Sequence, residues 1–339
     1  MIFMEEQLNF KVRTTEGKEF LCPEGDAILD SALLSGIVLE HSCKTGKCGA
    51  CEVSLLQGEV VEIRKKKVCS KGKNNRFLTC RYTPRTDILI DAIDLGVLHN
   101  IKTKVSPARI HRLEKLSGNM IEVELRLPPA LDFIFVEGQF VDIIGPEAVK
   151  RSYSIMSTSL DKTITLLIQK VQAGVLSNYW FNLASEEDLL RIEGPKGTFF
   201  LRDASAPLVF LATGSGIAPV ISMLSRLDRE SDFCQSEKIK LFWGNRLKTD
   251  FVWQPDFQNI DVDFYPVLSK EDDEWDGMTG YVQSAALLQI DDIGRFSVYA
   301  CGSDKMITSA RDTLSSAGVN LNRFYSDVFL EGHKEGENL

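Results

Sequence analysis

The chain has 339 residues, of which 44% are hydrophobic and 26% are charged, a composition ordinary for a soluble globular protein of two or three domains. Its net charge of −9 argues against nonspecific nucleic-acid binding, which depends on the neutralisation of phosphates. No apolar run reaches the roughly 20 residues of a membrane helix, and the first residues lack the basic and apolar segments of a signal peptide. We therefore expect a cytoplasmic protein that neither binds nucleic acid nor inserts into a membrane.

The first predicted domain, residues 1–95, has the pattern of a compact α+β module. Its predicted elements are a hairpin, a helix and three short strands: residues 8–12 with 19–22, 25–36, 52–56, 77–80 and 87–90. A hairpin, a single helix and returning strands in so short a stretch predict a β-grasp domain.

Four cysteines mark this module. Cys43, Cys48 and Cys51 follow the spacing C-x4-C-x2-C, and Cys80 comes after 28 further residues. This loop spacing is typical of plant-type ferredoxins, in which four thiolates hold a 2Fe–2S cluster. Structural zinc usually takes two separated C-x2-C pairs, and only one is present. A Rieske centre needs two histidines, whereas His41 is the one histidine near the loop. We favour the 2Fe–2S cluster, with zinc and disulfides as alternatives.

A strongly basic run, Arg64–Lys67, lies between the third and fourth cysteines. We interpret it as a solvated loop, where charge runs usually lie. The alternative is a role in docking a redox partner electrostatically.

The second predicted domain, residues 103–203, follows a linker over residues 94–104. It contains short strands separated by proline and glycine turns: residues 120–127, 140–144, 152–155 and 163–168. Strands at this spacing indicate a barrel or a sandwich, and we predict an antiparallel β-barrel.

The third predicted domain, residues 204–330, alternates apolar strands with helices. The predicted strands are residues 207–213, 238–243, 262–265 and 296–300. This alternation predicts a parallel sheet covered by helices, an α/β domain. The polar tail over residues 331–339 is expected to be disordered.

Two strands of this predicted sheet end in glycine steps. After Thr213, the sequence Gly214-Ser-Gly216-Ile-Ala-Pro219 precedes a helix, and glycines there let backbone amides approach a pyrophosphate. The step departs from G-x-G-x-x-G and by itself also fits an ordinary turn. The second step, Cys301-Gly302, should lie on the other side of one crevice at the carboxyl ends of the strands. Cys301 is either a small buried side chain or part of that crevice, and with no histidine near it we assign it no covalent role.

Two motifs in the barrel region can bind a cofactor. In Lys150-Arg151-Ser-Tyr153-Ser154, arginine can bind a phosphate, tyrosine can stack on a ring and serine can hydrogen-bond a ring nitrogen. Gly174-Val-Leu-Ser177 precedes a predicted helix over residues 178–184. Ser177 is expected to be the N-cap of that helix, with free amides beyond it for a diphosphate. Each motif alone also fits an ordinary strand or cap.

Together these motifs resemble the ferredoxin–NADP reductase superfamily, with R-x-Y-S and G-x-x-S for flavin and G-x-G-x-x-P and C-G for nicotinamide. With a ferredoxin domain at the N-terminus, residues 8–330 resemble single-chain iron–sulfur flavoenzyme reductases. Within that group the chain is most similar to the CDP-6-deoxy-Δ3,4-glucoseen reductases of dideoxysugar biosynthesis. The segments that carry this similarity are Arg151–Ile155, Leu190–Phe200, Val298–Ser303 and Phe324–Phe329.

The resemblance implies a role for each matching residue. The implied cluster ligands are Cys43, Cys48, Cys51 and Cys80. The implied flavin residues are Arg151, Tyr153, Ser154, Lys170, Gly174, Val175, Leu176, Ser177 and Phe329. The implied nicotinamide residues are Thr213, Gly214, Gly216, Cys301 and Gly302. Ser154 and Cys301 are the implied catalytic residues. Ser215 and Ser303 depart from the family's usual threonine and proline, which affects only the fine geometry.

The resemblance also implies an electron path from NADH, or possibly NADPH, through FAD and the 2Fe–2S cluster to a partner protein. A flavin is expected in between, because nicotinamide gives up two electrons at once and the cluster accepts one. NADH is favoured by the resemblance, while Arg246 and Lys248 keep NADPH open as charges for a 2′-phosphate. Lys44, Thr45 and Lys47 are expected where the partner docks.

The favoured partner is a pyridoxamine-dependent CDP-sugar dehydratase. The alternative is a mono- or dioxygenase that takes electrons from the same cofactors. A hypothesis of another class is a non-enzymatic interaction module that carries zinc.

Overall fold

The computed structural model describes residues 8–70, 75–145, 148–202, 206–230, 239–270 and 274–329. The chain divides into two compact units, Met1–Ile101 and Lys102–Leu339. The tail predicted to be disordered, residues 331–339, lies outside the described residues. The domain limits predicted from the sequence stay predictions, and each unit is described by itself.

In its described residues the first unit has eight strands and one α-helix. They are β1 (Asn9–Thr14), β2 (Glu19–Pro23), α1 (Ile28–Leu34), β3 (Glu52–Gln57), β4 (Glu59–Glu62), β5 (Val68–Ser70), β6 (Arg76–Leu78), β7 (Tyr82–Pro84) and β8 (Ile88–Asp91). The main sheet has the order β2-β1-β8-β3-β6, and β5-β4-β7 form a small second sheet. Strands β1 and β8 pair in parallel, while the other neighbours are antiparallel.

The first unit buries its helix in the same core as its sheet. Leu29 and Ala32 of α1 share a core with Val12 and Ile90 of the central strands. The β1–β2 hairpin forms where the alternating pattern predicts it, with Gly17 in the turn at a φ of 82°. A mixed sheet with one helix packed in its core confirms the predicted β-grasp fold.

The second unit begins with six strands and a short helix. They are β9 (Lys104–Lys115), β10 (Met120–Arg126), β11 (Phe140–Ile144), β12 (Lys150–Ser154), β13 (Ile164–Gln169), α2 (Val175–Asn178) and β14 (Leu189–Lys196). The sheet order is β12-β11-β14-β9-β10-β13, and all neighbours are antiparallel. A bridge between Ile155 and Leu166 joins the two edges, so the sheet closes into the predicted barrel. Apolar side chains such as Ile110, Val123 and Ile143 fill its interior.

The rest of the second unit is a six-stranded parallel sheet with helices. Its elements are β15 (Leu208–Thr213), α3 (Ile217–Arg229), β16 (Ile239–Asn245), β17 (Val262–Leu268), β18 (Met278–Thr279), α4 (Val282–Gln289), β19 (Ser297–Ser303), α5 (Asp304–Ser316) and β20 (Phe324–Phe329). The order is β18-β17-β16-β15-β19-β20. Residues Leu208–Ala212 of β15 are fully buried, as expected for a strand covered on both faces. None of the helices in the described ranges is both long and apolar enough to cross a membrane.

Candidate functional site

The four cysteines predicted as ligands lie together in the first unit. Three lie in the loop between α1 and β3, and the fourth follows β6, which pairs with β3. They are Cys43, Cys48, Cys51 and Cys80. Within the loop, Lys44, Gly46 and Gly49 have φ angles of 54°, 78° and 75°. These left-handed conformations, which glycine adopts readily, curl the backbone around the sulfur atoms.

The four thiols form two hydrogen-bonded pairs. Cys48 bonds Cys43, and Cys51 donates to the Sγ of Cys80 at 3.2 Å. The Sγ of Cys43 also accepts the backbone N–H groups of Thr45 and Cys48 at 3.3 and 3.4 Å. The bond from Cys48 lowers the pKa of Cys43 to about 4, and the bond from Cys51 lowers the pKa of Cys80. In each pair the sulfur that accepts the bond therefore has a lowered pKa, which favours the thiolate form that binds iron.

This pairing fits a two-iron cluster better than one zinc ion. Structural zinc needs four ligands around a single ion. A 2Fe–2S cluster instead shares four cysteines between two irons. Two separate pairs of thiols are the arrangement that this division requires.

Strand β12 carries the predicted flavin residues Arg151, Tyr153 and Ser154. The Tyr153 hydroxyl accepts a hydrogen bond from Trp180 Nε1 at 3.1 Å, and the two rings meet edge to face. Burial raises the pKa of Tyr153 to about 12, so it stays neutral. Arg151 is half-buried, and its guanidinium donates to the carbonyl of Lys150.

Ser154 is the residue of this strand with an unmet hydrogen-bonding need. It is 4% exposed, and its Oγ has no hydrogen-bond partner among the described residues. A buried hydroxyl without a partner is costly, so it calls for an explanation, such as a catalytic role or a bound water or ion. A serine that can hydrogen-bond a flavin ring nitrogen fits this position.

The second flavin motif lies on α2, close to the first. Gly174 is the residue before the helix, and Val175 and Leu176 are its first two residues. The predicted N-cap role of Ser177 is wrong: it lies inside the helix, and its Oγ accepts the Val171 N–H at 2.7 Å. Gly174 is the N-cap instead, because the helix begins at Val175, two residues before Ser177.

Two contacts hold this segment to the rest of the barrel. A five-residue π-helical turn, Tyr179–Leu183, follows α2 and carries Trp180, which bonds Tyr153. Lys170 stands over the ring of Phe181, with 5.4 Å between Nζ and the ring centroid. The structure thus brings the two predicted flavin motifs together.

The two predicted nicotinamide motifs lie at the carboxyl ends of adjacent parallel strands, β15 and β19. They are in very close contact. A Cβ on Gly216 would lie 2.4 Å from the carbonyl oxygen of Cys301, and one on Gly302 would lie 2.2 Å from Thr213 Oγ1. Glycine is required at Gly216 by a backbone carbonyl and is favoured at Gly302 by the close Thr213 side chain. The two steps therefore lie together at one edge of the sheet, and the crevice between them stays a prediction.

Cys301 lies at this junction and is fully buried. Burial raises the pKa of its thiol, and the nearby Asp327 raises it further. The sulfur therefore stays protonated and can pack or donate a weak hydrogen bond. Phe329, at the end of β20, pairs with Ser303 across the strands.

Three further residues at these motifs were missed in the sequence. Trp243 is fully buried and donates its Nε1–H to the Gly214 carbonyl at 2.9 Å. Gln169, the last residue of β13, accepts the Ser215 N–H at 3.4 Å. Asp327 is 2% exposed and lies opposite Cys301. Only Asp327 had a usable signal, a carboxylate inside the apolar strand Tyr-Ser-Asp-Val-Phe.

Three protein families match successive parts of the chain. They are the 2Fe-2S iron-sulfur cluster binding domain over residues 12–85, the oxidoreductase FAD-binding domain over 107–201 and the oxidoreductase NAD-binding domain over 210–312. The chain therefore uses a 2Fe–2S cluster, FAD and NAD(P)H. When bound, the flavin takes electrons from NAD(P)H in pairs and passes them singly to the cluster.

Relatives with this domain set match nearly the whole chain. A CDP-6-deoxy-L-threo-D-glycero-4-hexulose-3-dehydrase reductase of Yersinia pestis is 36% identical over 329 residues, 95% of this chain and 98% of the relative. The xylene/toluene monooxygenase electron transfer component XylA of Pseudomonas putida is 28% identical over 331 residues, which are 93% of this chain and 91% of that relative.

A solved structure shows the same fold. The ferredoxin reductase in carbazole 1,9a-dioxygenase superposes with a TM-score of 0.64 and 22% identity, over 96% of this chain and all of that one. The domains and the relatives identify an NAD(P)H-dependent oxidoreductase that supplies electrons to a redox partner. The chain belongs to the family of single-chain iron–sulfur flavoprotein reductases.

Proposed function

We propose that this reductase gives its electrons to a pyridoxamine-dependent dehydratase that acts on a CDP-linked sugar in dideoxysugar biosynthesis. The observation that carries this proposal is the 36% identity to the Yersinia pestis dehydrase reductase over 95% of the chain. Transfer to a mono- or dioxygenase is the second candidate, favoured by the relative from xylene/toluene monooxygenase at 28% identity.

Within the first unit, we propose that the four cysteines of the loop ligate the cluster. The two thiol pairs support this assignment, because each offers two sulfurs to one iron. All four thiols must lose their protons to bind, and Cys43 and Cys80 already have lowered pKa values.

In the barrel, Arg151 would bind the flavin phosphates and Tyr153 would pack on the ring system. Ser154 would hydrogen-bond near the reactive nitrogen, which would satisfy its buried hydroxyl. Trp180 holds Tyr153 in place through its N–H. The remaining proposed flavin contacts are Lys170, Gly174, Val175, Leu176, Ser177 and Phe329.

The proposed nicotinamide site comprises Thr213, Gly214, Gly216, Cys301 and Gly302. The protonated, buried Cys301 suits a packing role against the nicotinamide ring and no covalent one. We propose NADH as the donor. Lys248 pairs with Glu274, which weakens the charge available to a 2′-phosphate, although Arg246 is exposed. Comparison of kcat/KM for NADH and NADPH tests this preference.

A reconstituted assay tests the choice of partner. The purified reductase is mixed with NADH and either the CDP-6-deoxy-hexulose 3-dehydrase with its sugar substrate or the oxygenase of a xylene-type system. We expect product only with the dehydrase, at a rate that depends on reductase concentration. Turnover with the oxygenase alone would overturn the proposal. The domain limits 1–95, 103–203 and 204–330 and the cytoplasmic location stay predictions.

A further inference from the structure

We propose that six exposed basic residues beside the cysteine loop form a docking surface for the acidic face of the electron-accepting protein. This basic surface consists of Lys44, Lys47, Arg64, Lys65, Lys66 and Lys67. The inference rests on the proposed function in one respect, that electrons leave the chain from the cysteine loop.

The two parts of the basic surface are joined through Arg81. Lys44 and Lys47 lie in the cysteine loop, and the other four residues form the turn between β4 and β5. Arg81 donates to the Thr45 carbonyl in the loop and to Glu62 at the end of β4, both at 3.4 Å. Its carbonyl also accepts the Ile63 N–H at 3.0 Å. The charged turn is therefore held directly beside the loop that carries the cluster ligands.

The charges of the basic surface are not neutralised within the described residues of the first unit. None of its six side chains forms an ion pair there. Five of the other basic residues of that unit are paired with acidic ones: Lys11, Arg13, Lys18, Arg76 and Arg81. Arg85 is the remaining exception in the same ranges. Unpaired positive charge is thus concentrated beside the cysteine loop.

The sign of this surface opposes that of the whole chain, whose net charge is −9. A local field of opposite sign steers a partner to one place and orients it there. The positive field would also attract polyanions of other kinds. Because the basic surface borders the cysteine loop, however, a protein bound to it would lie close to the cluster. An acidic electron-accepting protein is therefore the occupant that this position favours.

The test uses two haem proteins of opposite charge as acceptors, the acidic cytochrome b5 and the basic cytochrome c. The holoenzyme, reduced by NADH, is compared with the double variant Lys65→Glu/Lys67→Glu over a range of ionic strength. The matched control is Lys115→Glu/Lys162→Glu, which reverses two exposed lysines of the second unit. Visible spectra and NADH-driven bleaching without acceptor show that both variants keep flavin and cluster intact.

We expect the Lys65→Glu/Lys67→Glu variant to lose about tenfold in kcat/KM for cytochrome b5 at low salt, with a flatter salt dependence. Its kcat/KM for cytochrome c should rise, and the control should change both values less than twofold. Equal effects of the two double variants, or no effect on cytochrome b5, would overturn the inference. If the effect is found but the dehydrase receives no electrons, the basic surface stands and only the proposed partner fails.

Discussion

At the scale of single residues, Ser154 has a buried hydroxyl without a hydrogen-bond partner among the described residues. Its hydroxyl is buried at the end of β12 beside Tyr153, which already has a partner in Trp180. Two residues earlier, Ser152 also carries a hydroxyl, but that group donates to Asp142 at 2.5 Å. Both serines lie on β12, but only the Ser152 hydroxyl has a partner, so Ser152 is a suitable control for a substitution at Ser154.

We predict that Ser154→Ala slows reduction of the flavin by NADH about tenfold or more, because a hydrogen bond near the reacting nitrogen is lost. The cluster spectrum should be unchanged. Stopped-flow absorbance of the flavin band measures the rate, and Ser152→Ala serves as the control with little expected effect. A normal rate of flavin reduction in Ser154→Ala would contradict the role assigned to this hydroxyl.

Trp243 acts on the glycine step from the neighbouring strand. Its N–H donates to the Gly214 carbonyl and so fixes the position of that peptide group. We predict that Trp243→Phe raises the KM for NADH about tenfold, the effect of one lost buried hydrogen bond, while FAD stays bound. Steady-state kinetics and flavin content test this. Trp253→Phe, a change in a ring that packs on Trp243, is the control and should leave KM near normal.

At the scale of elements, the outer face of the barrel is tied together by Asp142 across β11, β12 and β14. Its carboxylate accepts Lys196 Nζ at 2.7 Å, Lys150 Nζ at 3.2 Å and Ser152 Oγ at 2.5 Å. Burial alone would raise the pKa of Asp142. The bonds from Lys196 and Ser152 outweigh it and lower the pKa below its ordinary value.

We predict that Asp142→Asn destabilises the barrel by about 2 kcal/mol at pH 7, the worth of charged hydrogen bonds. The folded pKa is depressed, so the carboxylate contributes fully above the unfolded value of about 3.9. That contribution disappears as the pH falls through the lower folded pKa. Urea unfolding followed by fluorescence from pH 7 to pH 3 should show the difference shrinking only below pH 4. Glu187→Gln, an exposed ion-pair partner of Arg109, should cost little at any pH.

The elements that could be predicted from the sequence are those whose buried residues form a simple pattern of apolar residues, either alternating or continuous. The strand Leu208–Thr213 is apolar because both of its faces are covered, and Gly216 after it is required by its contact with the Cys301 carbonyl. Strand β9, which begins at the last residue of the predicted linker, was missed because six of its twelve residues are exposed and four of these are charged, so no apolar pattern marks it. The bonds of Trp243 and Gln169 to the glycine step join residues far apart in the chain, and no local pattern encodes them.

At the scale of the whole molecule, the division at Ile101 separates the proposed cluster site from the proposed flavin and nicotinamide sites. All four cysteines proposed as cluster ligands lie before it, and every proposed flavin and nicotinamide residue lies after it. The second unit closes its own barrel through the Ile155–Leu166 bridge and has its own apolar cores. Its two halves are also joined by polar contacts, such as Ser222 Oγ to the Ser157 carbonyl at 2.6 Å.

We therefore predict that residues 102–339, expressed alone, fold, bind FAD and are reduced by NADH at a rate within threefold of the full chain. This fragment should lack the cluster bands and should fail to reduce a protein acceptor that the full chain reduces. In the full chain, Cys51→Ser should give the same result by loss of a cluster ligand. Flavin content, stopped-flow reduction and cytochrome reduction are compared for the three proteins. A fragment that cannot retain FAD would show that the flavin site depends on the first unit.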